Sequence, residues 1–145
     1  MSKFSCVTLS GLVIIALLAI QPARAETILF KADLKAASQV PPTTSQGTGT
    51  VNATFDTVSK ILAWKATVSG LTGNVTAAHF HGPAEVGKNA GVMVPVPGAA
   101  TGSLDGTANL TDDQAKTLIA GETYFNVHTA ANPGGELRGQ VVRVQ

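Results

Sequence analysis

Apolar and polar residues alternate in several short runs of this sequence, and the run from Ile61 to Val68 shows the pattern most clearly. Every second residue of that run is apolar: Leu62, Trp64, Ala66 and Val68. The same period recurs between Ile28 and Leu34 and between Val51 and Phe55. Because successive side chains of a β-strand point to opposite faces, each run predicts a strand with one buried face and one polar face.

Turn-forming residues separate these runs and divide the chain into about seven or eight predicted strands. Besides the three runs above, strands are predicted at 75–81, 92–96, 103–109, 124–129 and 136–141. One short helix is predicted to begin at Thr111-Asp112-Asp113-Gln114, which has the sequence of a capping box, and to end at Gly121. This pattern favours an all-β fold, an antiparallel β-sandwich with one short helix.

The N-terminal residues 1–25 have the features of a secretory signal peptide. Lys3 supplies a positive charge, residues 7–20 are mainly apolar, and Ala23-Arg24-Ala25 has the small-x-small pattern of a cleavage site. An uncleaved N-terminal anchor is the alternative, but the apolar run is short for a membrane span. We therefore predict a single domain at 26–145, secreted or periplasmic, with no membrane association after cleavage.

Composition excludes several classes of site and partner. The only cysteine, Cys6, lies in the predicted leader, so the domain would have no disulfide, no thiol nucleophile and no thiolate metal ligand. Of the ten basic residues, Lys3 and Arg24 also fall in the leader, which leaves eight against nine acidic residues. Without a basic cluster, neither a nucleic acid nor an anionic membrane is an expected partner.

The three histidines of the chain fall in two of the predicted strands. His79 and His81 are two residues apart, and therefore on one strand face, whereas His128 lies near the end of another strand. If the apolar residues of these strands fill the core, one polar set remains for the outer face: His79, His81, Tyr124, Asn126, His128, Glu136, Arg138 and Gln140. Three imidazoles without sulfur would suit one copper or zinc ion, and nickel is also compatible.

Two charged residues of this set have alternative interpretations. Glu136 is predicted either as a fourth metal ligand or as a hydrogen-bonding partner of a ligand. Arg138 could pair with Glu136 on the same strand face, or it could donate to backbone carbonyls of the turn at 132–135. Tyr124, Asn126 and Arg138 are predicted to support the site. Alternatively, the histidines bind no metal and are satisfied by the backbone and by Glu136.

Several motifs in the same order resemble the CHRD domain, first described in the extracellular protein chordin. They are Val40-Pro41-Pro42, Leu62-Ala63-Trp64, Val68-Ser69-Gly70-Leu71, Ala78-His79-Phe80-His81-Gly82-Pro83-Ala84, Ala120 to Thr129, and Asn132-Pro133-Gly134-Gly135-Glu136-Leu137-Arg138-Gly139-Gln140. The resemblance implies a secreted, β-rich domain, often without an assigned activity. It does not carry over the growth-factor binding of chordin's cysteine-rich modules, because this chain has none.

The predicted sandwich is either immunoglobulin-like, with Greek-key connections, or superoxide-dismutase-like. Residues 71–87 are also loosely similar to the copper-ligand region of Cu,Zn superoxide dismutases.

Three functions follow from these features. The first is an exported metal-binding domain for metal handling or structural metal binding. The second is a non-catalytic extracellular interaction or matrix module. The third, a metal-dependent redox enzyme, is the least favoured, because those dismutases use more histidines and a disulfide. No organic cofactor is expected.

Overall fold

The computed structural model describes residues 24–145, so the predicted signal peptide, except for its last two residues, lies outside the described part of the chain. Its strands are β1 (Thr27–Lys35), β2 (Thr48–Asp56), β3 (Ile61–Ser69), β4 (Val75–His81), β5 (Val92–Pro95), β6 (Gly106–Asn109), β7 (Thr123–Thr129) and β8 (Leu137–Arg143). A single α-helix, α1 (Asp112–Ile119), and two short 3-10 turns (Ala36–Ser38 and Ala99–Thr101) complete the described elements.

The eight strands form one continuous antiparallel sheet in the order β5-β4-β7-β8-β1-β2-β3-β6. The predicted all-β, antiparallel class is therefore confirmed, but the division into the two sheets of a sandwich is not. β1 pairs with β2 on one side and with β8 on the other, so it joins the two halves of the chain into one sheet. Alternation shows which face of a strand is buried, but it does not specify the strand's neighbours.

The sheet curls until it nearly closes as a barrel. Trp64 of β3 and Phe80 of β4 lie far apart in the strand order, yet their ring centroids are 5.0 Å apart in an edge-to-face contact. The apolar faces of the strands fill the interior, as in other small barrels. The core includes Trp64 and the almost completely buried side chains of Phe30, Phe55, Phe80, Phe125, Leu34, Leu62, Leu137 and, from the helix, Leu118.

The predicted helix is present with its predicted cap. The Thr111 hydroxyl accepts a hydrogen bond from the Gln114 backbone N–H, and the Gln114 side chain accepts one from the Thr111 N–H. Ala115 and Leu118 of the helix are buried in the same core as the sheet. Among residues 24–145, no helix is long and apolar enough to cross a membrane.

We expect Gly106→Ala to destabilise the fold, because the Trp64 ring packs into the space that a side chain at position 106 would fill. A Cβ at Gly106 would lie 2.6 Å from Cζ2 of the Trp64 ring. Overpacking a buried ring in this way costs about 1–3 kcal/mol. Gly73→Ala is the matched control, since a Cβ at Gly73 meets nothing within 4 Å. Urea denaturation of both variants measures the difference, and equal stabilities would contradict the packing argument.

Candidate metal centre

The three histidines converge on the outer face of two neighbouring strands. β4 pairs antiparallel with β7, which places Ala77 opposite His128 and His79 opposite Asn126. One ligand nitrogen from each of His79, His81 and His128 lies within 4.8 Å of the other two. The alternation of β4 and β7 therefore placed the three imidazoles on one face correctly, and the pairing of the two strands brings them together.

Backbone carbonyls fix the orientation of two of these imidazoles. His81 Nδ1 is 3.0 Å from the carbonyl oxygen of Ala90, and His128 Nδ1 is 2.9 Å from that of Pro133. Since a carbonyl oxygen can only accept, each Nδ1 carries the hydrogen and donates it. The lone pair of each neutral ring is then on Nε2. This is the arrangement in which metal-binding histidines are usually held.

Two of the remaining nitrogens are spaced as ligands of a single ion require. His81 is only 8% exposed, and its Nε2 is a buried atom with no hydrogen-bond partner in the described structure. Nδ1 of His79 lies 3.2 Å from Nε2 of His128. Two nitrogens bound tetrahedrally to one ion at about 2.0–2.1 Å would be about 3.3–3.4 Å apart. Within the described residues no carbonyl accepts a hydrogen bond from the His79 ring. This ring can therefore carry its hydrogen on Nε2, which leaves the lone pair of Nδ1 for a metal ion.

The surroundings keep two of the histidines neutral. Burial lowers the pKa of His79, and the nearby His128 and His81 lower it further. Burial also lowers the pKa of His81, more than its hydrogen bond to Ala90 raises it. A low pKa favours the uncharged imidazole, which is the form that binds a metal ion. The electrostatics of the cluster and the nitrogen geometry thus favour the same chemistry.

Tyr124 supports His81 and the loop that covers it. The two rings are stacked, with centroids 4.8 Å apart and planes 2° from parallel. The Tyr124 hydroxyl lies 3.2 Å from both the backbone N–H and the carbonyl oxygen of Ala90. Ala90 also accepts the hydrogen bond from His81. The loop at 82–91 is therefore anchored at Ala90 to both Tyr124 and His81, one of the three clustered histidines.

Arg138 supports this loop from the opposite side of Tyr124, and neither predicted alternative for it is correct. Its guanidinium carbon lies 3.5 Å from the centre of the Tyr124 ring. It donates to the Asn89 side chain and to the Lys88 carbonyl, not to the turn at 132–135, and it forms no ion pair with Glu136. Alternation placed Arg138 on the correct face, but the position of the loop over that face decided its partners.

Glu136 does not join the histidines. It lies at a bend just before β8, and this bend turns its carboxylate to the side of Thr129, which faces away from His128. Its oxygens accept hydrogen bonds from the Ser45 hydroxyl, from the Thr129 hydroxyl, and from both the hydroxyl and the N–H of Thr72. The carboxylate thus links three loops and is fully occupied there.

The hydrogen bonds to Glu136 also determine its charge. Its complete burial raises the pKa, but the bonds from Ser45, Thr129 and Thr72 lower it more, to about 2. Glu136 is therefore an ionised acceptor throughout the ordinary pH range. Neither predicted role of Glu136 is found, because its carboxylate accepts hydrogen bonds from three hydroxyls and one backbone N–H and from no histidine.

The outer polar face of β4, β7 and β8 is largely covered by loops. Tyr124, Asn126 and Arg138 are buried, and Gln140 donates to the carbonyls of Ala84 and Gly121. Asn126 contacts the buried side chain of Gln39, 3.4 Å away. Sequence reasoning missed the carbonyls that orient the histidines, because every residue has a carbonyl and no sequence signal marks these two.

The fold and the cluster define the class of protein: a curled antiparallel β-domain with three clustered histidines on the outer face of two neighbouring strands. A comparison with protein families gives the particular family. The CHRD domain matches residues 30–141, and the chain belongs to the CHRD domain family. No curated protein and no solved structure matches the chain.

Proposed function

We propose that this protein is an exported metal-binding domain that holds one copper or zinc ion. The observation that carries the proposal is the convergence of the three histidines, each of which offers a ring nitrogen within 4.8 Å of the other two, while the buried Nε2 of His81 has no hydrogen-bond partner among the described residues. A buried polar atom without a hydrogen bond is costly, and a metal ion would remove that cost. The protein would serve in metal handling or would use the ion to stabilise its own fold.

The ligands would be Nε2 of His81, Nε2 of His128 and Nδ1 of His79. Three neutral nitrogens without a thiolate suit copper and zinc in the general series of divalent affinities. With three protein ligands, a tetrahedral ion would keep one position for water or another small molecule, where it could act as a Lewis acid. The carbonyls of Ala90 and Pro133 would keep two of the rings in position.

Export is part of the proposal. It rests on the apolar run at 7–20 and on the small-x-small sequence that ends at Ala25. A histidine site with no sulfur ligand also suits an exported compartment, because it contains no thiol that could be oxidised. We therefore propose cleavage before Glu26 and a secreted or periplasmic location for the domain at 26–145.

Metal content measured by elemental analysis tests the proposal. The protein is purified from its exported compartment beside a variant in which His79, His81 and His128 are all alanine, and circular dichroism checks that both are folded. We expect about one copper or zinc ion per chain in the wild type and none in the variant. A metal-free wild type that takes up neither added ion, and melts at the same temperature with and without them, would instead identify a non-catalytic interaction module.

A further inference from the structure

Arg138 is a buried cation that has no anionic partner among the residues that the structure describes. It is only 2% exposed, and its hydrogen-bond acceptors, Asn89 and Lys88, contribute a neutral amide oxygen and a neutral carbonyl. The three ion pairs found between residues 24 and 145 do not include it. Glu136, the acidic residue closest to it in sequence, is occupied by hydroxyl groups. A buried charge without a counter-ion is costly, so the position calls for an anion.

A cavity of about 400 Å³ opens onto Arg138. It lies between the segment at 37–42 and the loop that carries Val86 and Gly87, and no acidic residue lines it. Among the described residues that line the cavity, Arg138 is the one charged group, and its positive charge suits an anion.

Much of the cavity lining is apolar and includes Val40, Pro42 and Val86. Val86 is 79% exposed and stands at the mouth of the cavity. Binding sites that combine a few converging polar groups with apolar walls are typical of small organic ligands. An inorganic anion would use the donors but leave the apolar wall without contacts.

We propose that this cavity binds a small organic carboxylate, whose anionic group lies against Arg138 and whose apolar body lies against Val40, Pro42 and Val86. The planar guanidinium is suited to a carboxylate, and the hydrogen bonds to Lys88 and Asn89 hold it in place. The cavity is separated from the histidine cluster by the ring of Tyr124, which stacks on His81 on one side and contacts Arg138 on the other. The two sites are therefore distinct.

Benzoate is a suitable probe, and benzamide is its neutral control with the same shape. Binding is followed by NMR titration of metal-free protein, prepared with a chelator and desalted, so that no ion at the histidines can bind the carboxylate. We expect saturable shifts with benzoate, centred on the loop at 86–89 and the Arg138 side chain, and at least about tenfold weaker binding of benzamide. Equal binding of the two compounds, or no saturable shift with benzoate, would overturn the proposal.

A charge at the mouth of the cavity tests the site without altering the core. Val86→Glu should bind benzoate about tenfold more weakly than Val86→Gln, because both variants lose the apolar contact and only the glutamate repels the carboxylate, whereas Val86→Lys should bind it more tightly than Val86→Gln. Arg138→Gln should abolish binding, with circular dichroism to verify its fold. Equal affinity across the three Val86 variants would place benzoate elsewhere. Because the assay uses metal-free protein, its result does not depend on whether the histidine cluster binds metal.

Discussion

Replacing His128 with alanine is expected to lower the affinity of the protein for copper or zinc by more than about a hundredfold. Removing a residue that only hydrogen-bonds to a metal ligand already lowers metal affinity about 10–100-fold, and removing a ligand itself should lower it more. The His128 ring contributes one of the three clustered nitrogens, and its Nε2 is 3.2 Å from Nδ1 of His79. Without it only two imidazoles remain. Competition against a chelator of known affinity measures the change.

The fold should tolerate this substitution, because His128 is only half-buried and its side chain makes one hydrogen bond to the backbone, at Pro133. Thr76→Ala is a suitable control, since Thr76 is an exposed residue of β4 outside the cluster. Its metal affinity should equal that of the wild type. An unchanged affinity in a folded His128→Ala protein would show that the metal, if bound, uses other ligands.

Replacing Glu136 with glutamine is expected to remove about 3 kcal/mol of the free energy of unfolding at pH 7. The carboxylate accepts hydrogen bonds from Ser45, Thr72 and Thr129, and an amide would present an N–H₂ group to one pair of these donors. The magnitude agrees with the pKa, which falls from an ordinary 4.5 to about 2. A shift of this size corresponds to roughly 3 kcal/mol.

The pH dependence of this loss tests the charge of Glu136 directly. A carboxyl whose pKa is lowered in the folded state contributes fully above its unfolded pKa, and the contribution disappears as the pH falls through the folded value. The difference between wild type and Glu136→Gln should therefore be constant above about pH 5, fall by about half near pH 3 and vanish below about pH 2. Taking this difference removes the contributions of other carboxyls, such as Asp56 and Asp112, whose pKa values are also lowered.

Urea denaturation of both proteins between pH 7 and pH 3 gives the required values. Glu122→Gln is the matched control, because Glu122 is exposed, and it should change the stability by less than about 0.5 kcal/mol at any pH. A loss at Glu136 that is equally large at pH 3 and pH 7 would mean that the hydrogen bonds matter and the charge does not.

The strands and the helix were predictable because their signals are local. The alternation of β3 and the capping box of α1 are written in consecutive residues, and both elements occur where they were predicted. The arrangement of the strands is not local. The pairing of β1 with β8 joins residues more than a hundred positions apart, and this pairing turns the predicted two sheets into one.

The histidines could be placed on one face from sequence, but Glu136 could not. His79, His81 and His128 lie within strands β4 and β7, where the period of two places them on one face even though the pairing of β4 is irregular between Phe80 and His81. Glu136 follows the turn at Pro133 and lies at a bend, where the period does not apply. Arg138 shows both effects. Its position in a strand determines the face of the sheet on which its side chain lies, whereas the loop at 82–91 provides its hydrogen-bond acceptors.

The sequence by itself therefore determined the class of fold, the core face of each strand and the face that carries the three histidines, because side-chain alternation depends only on neighbouring residues. The tertiary structure alone decided which strands pair, which carbonyls orient His81 and His128, and why Glu136 and Arg138 have separate partners. Those contacts join segments that are distant in the chain. Their formation depends on the loops that fold over the sheet, and composition and spacing do not specify the path of a loop.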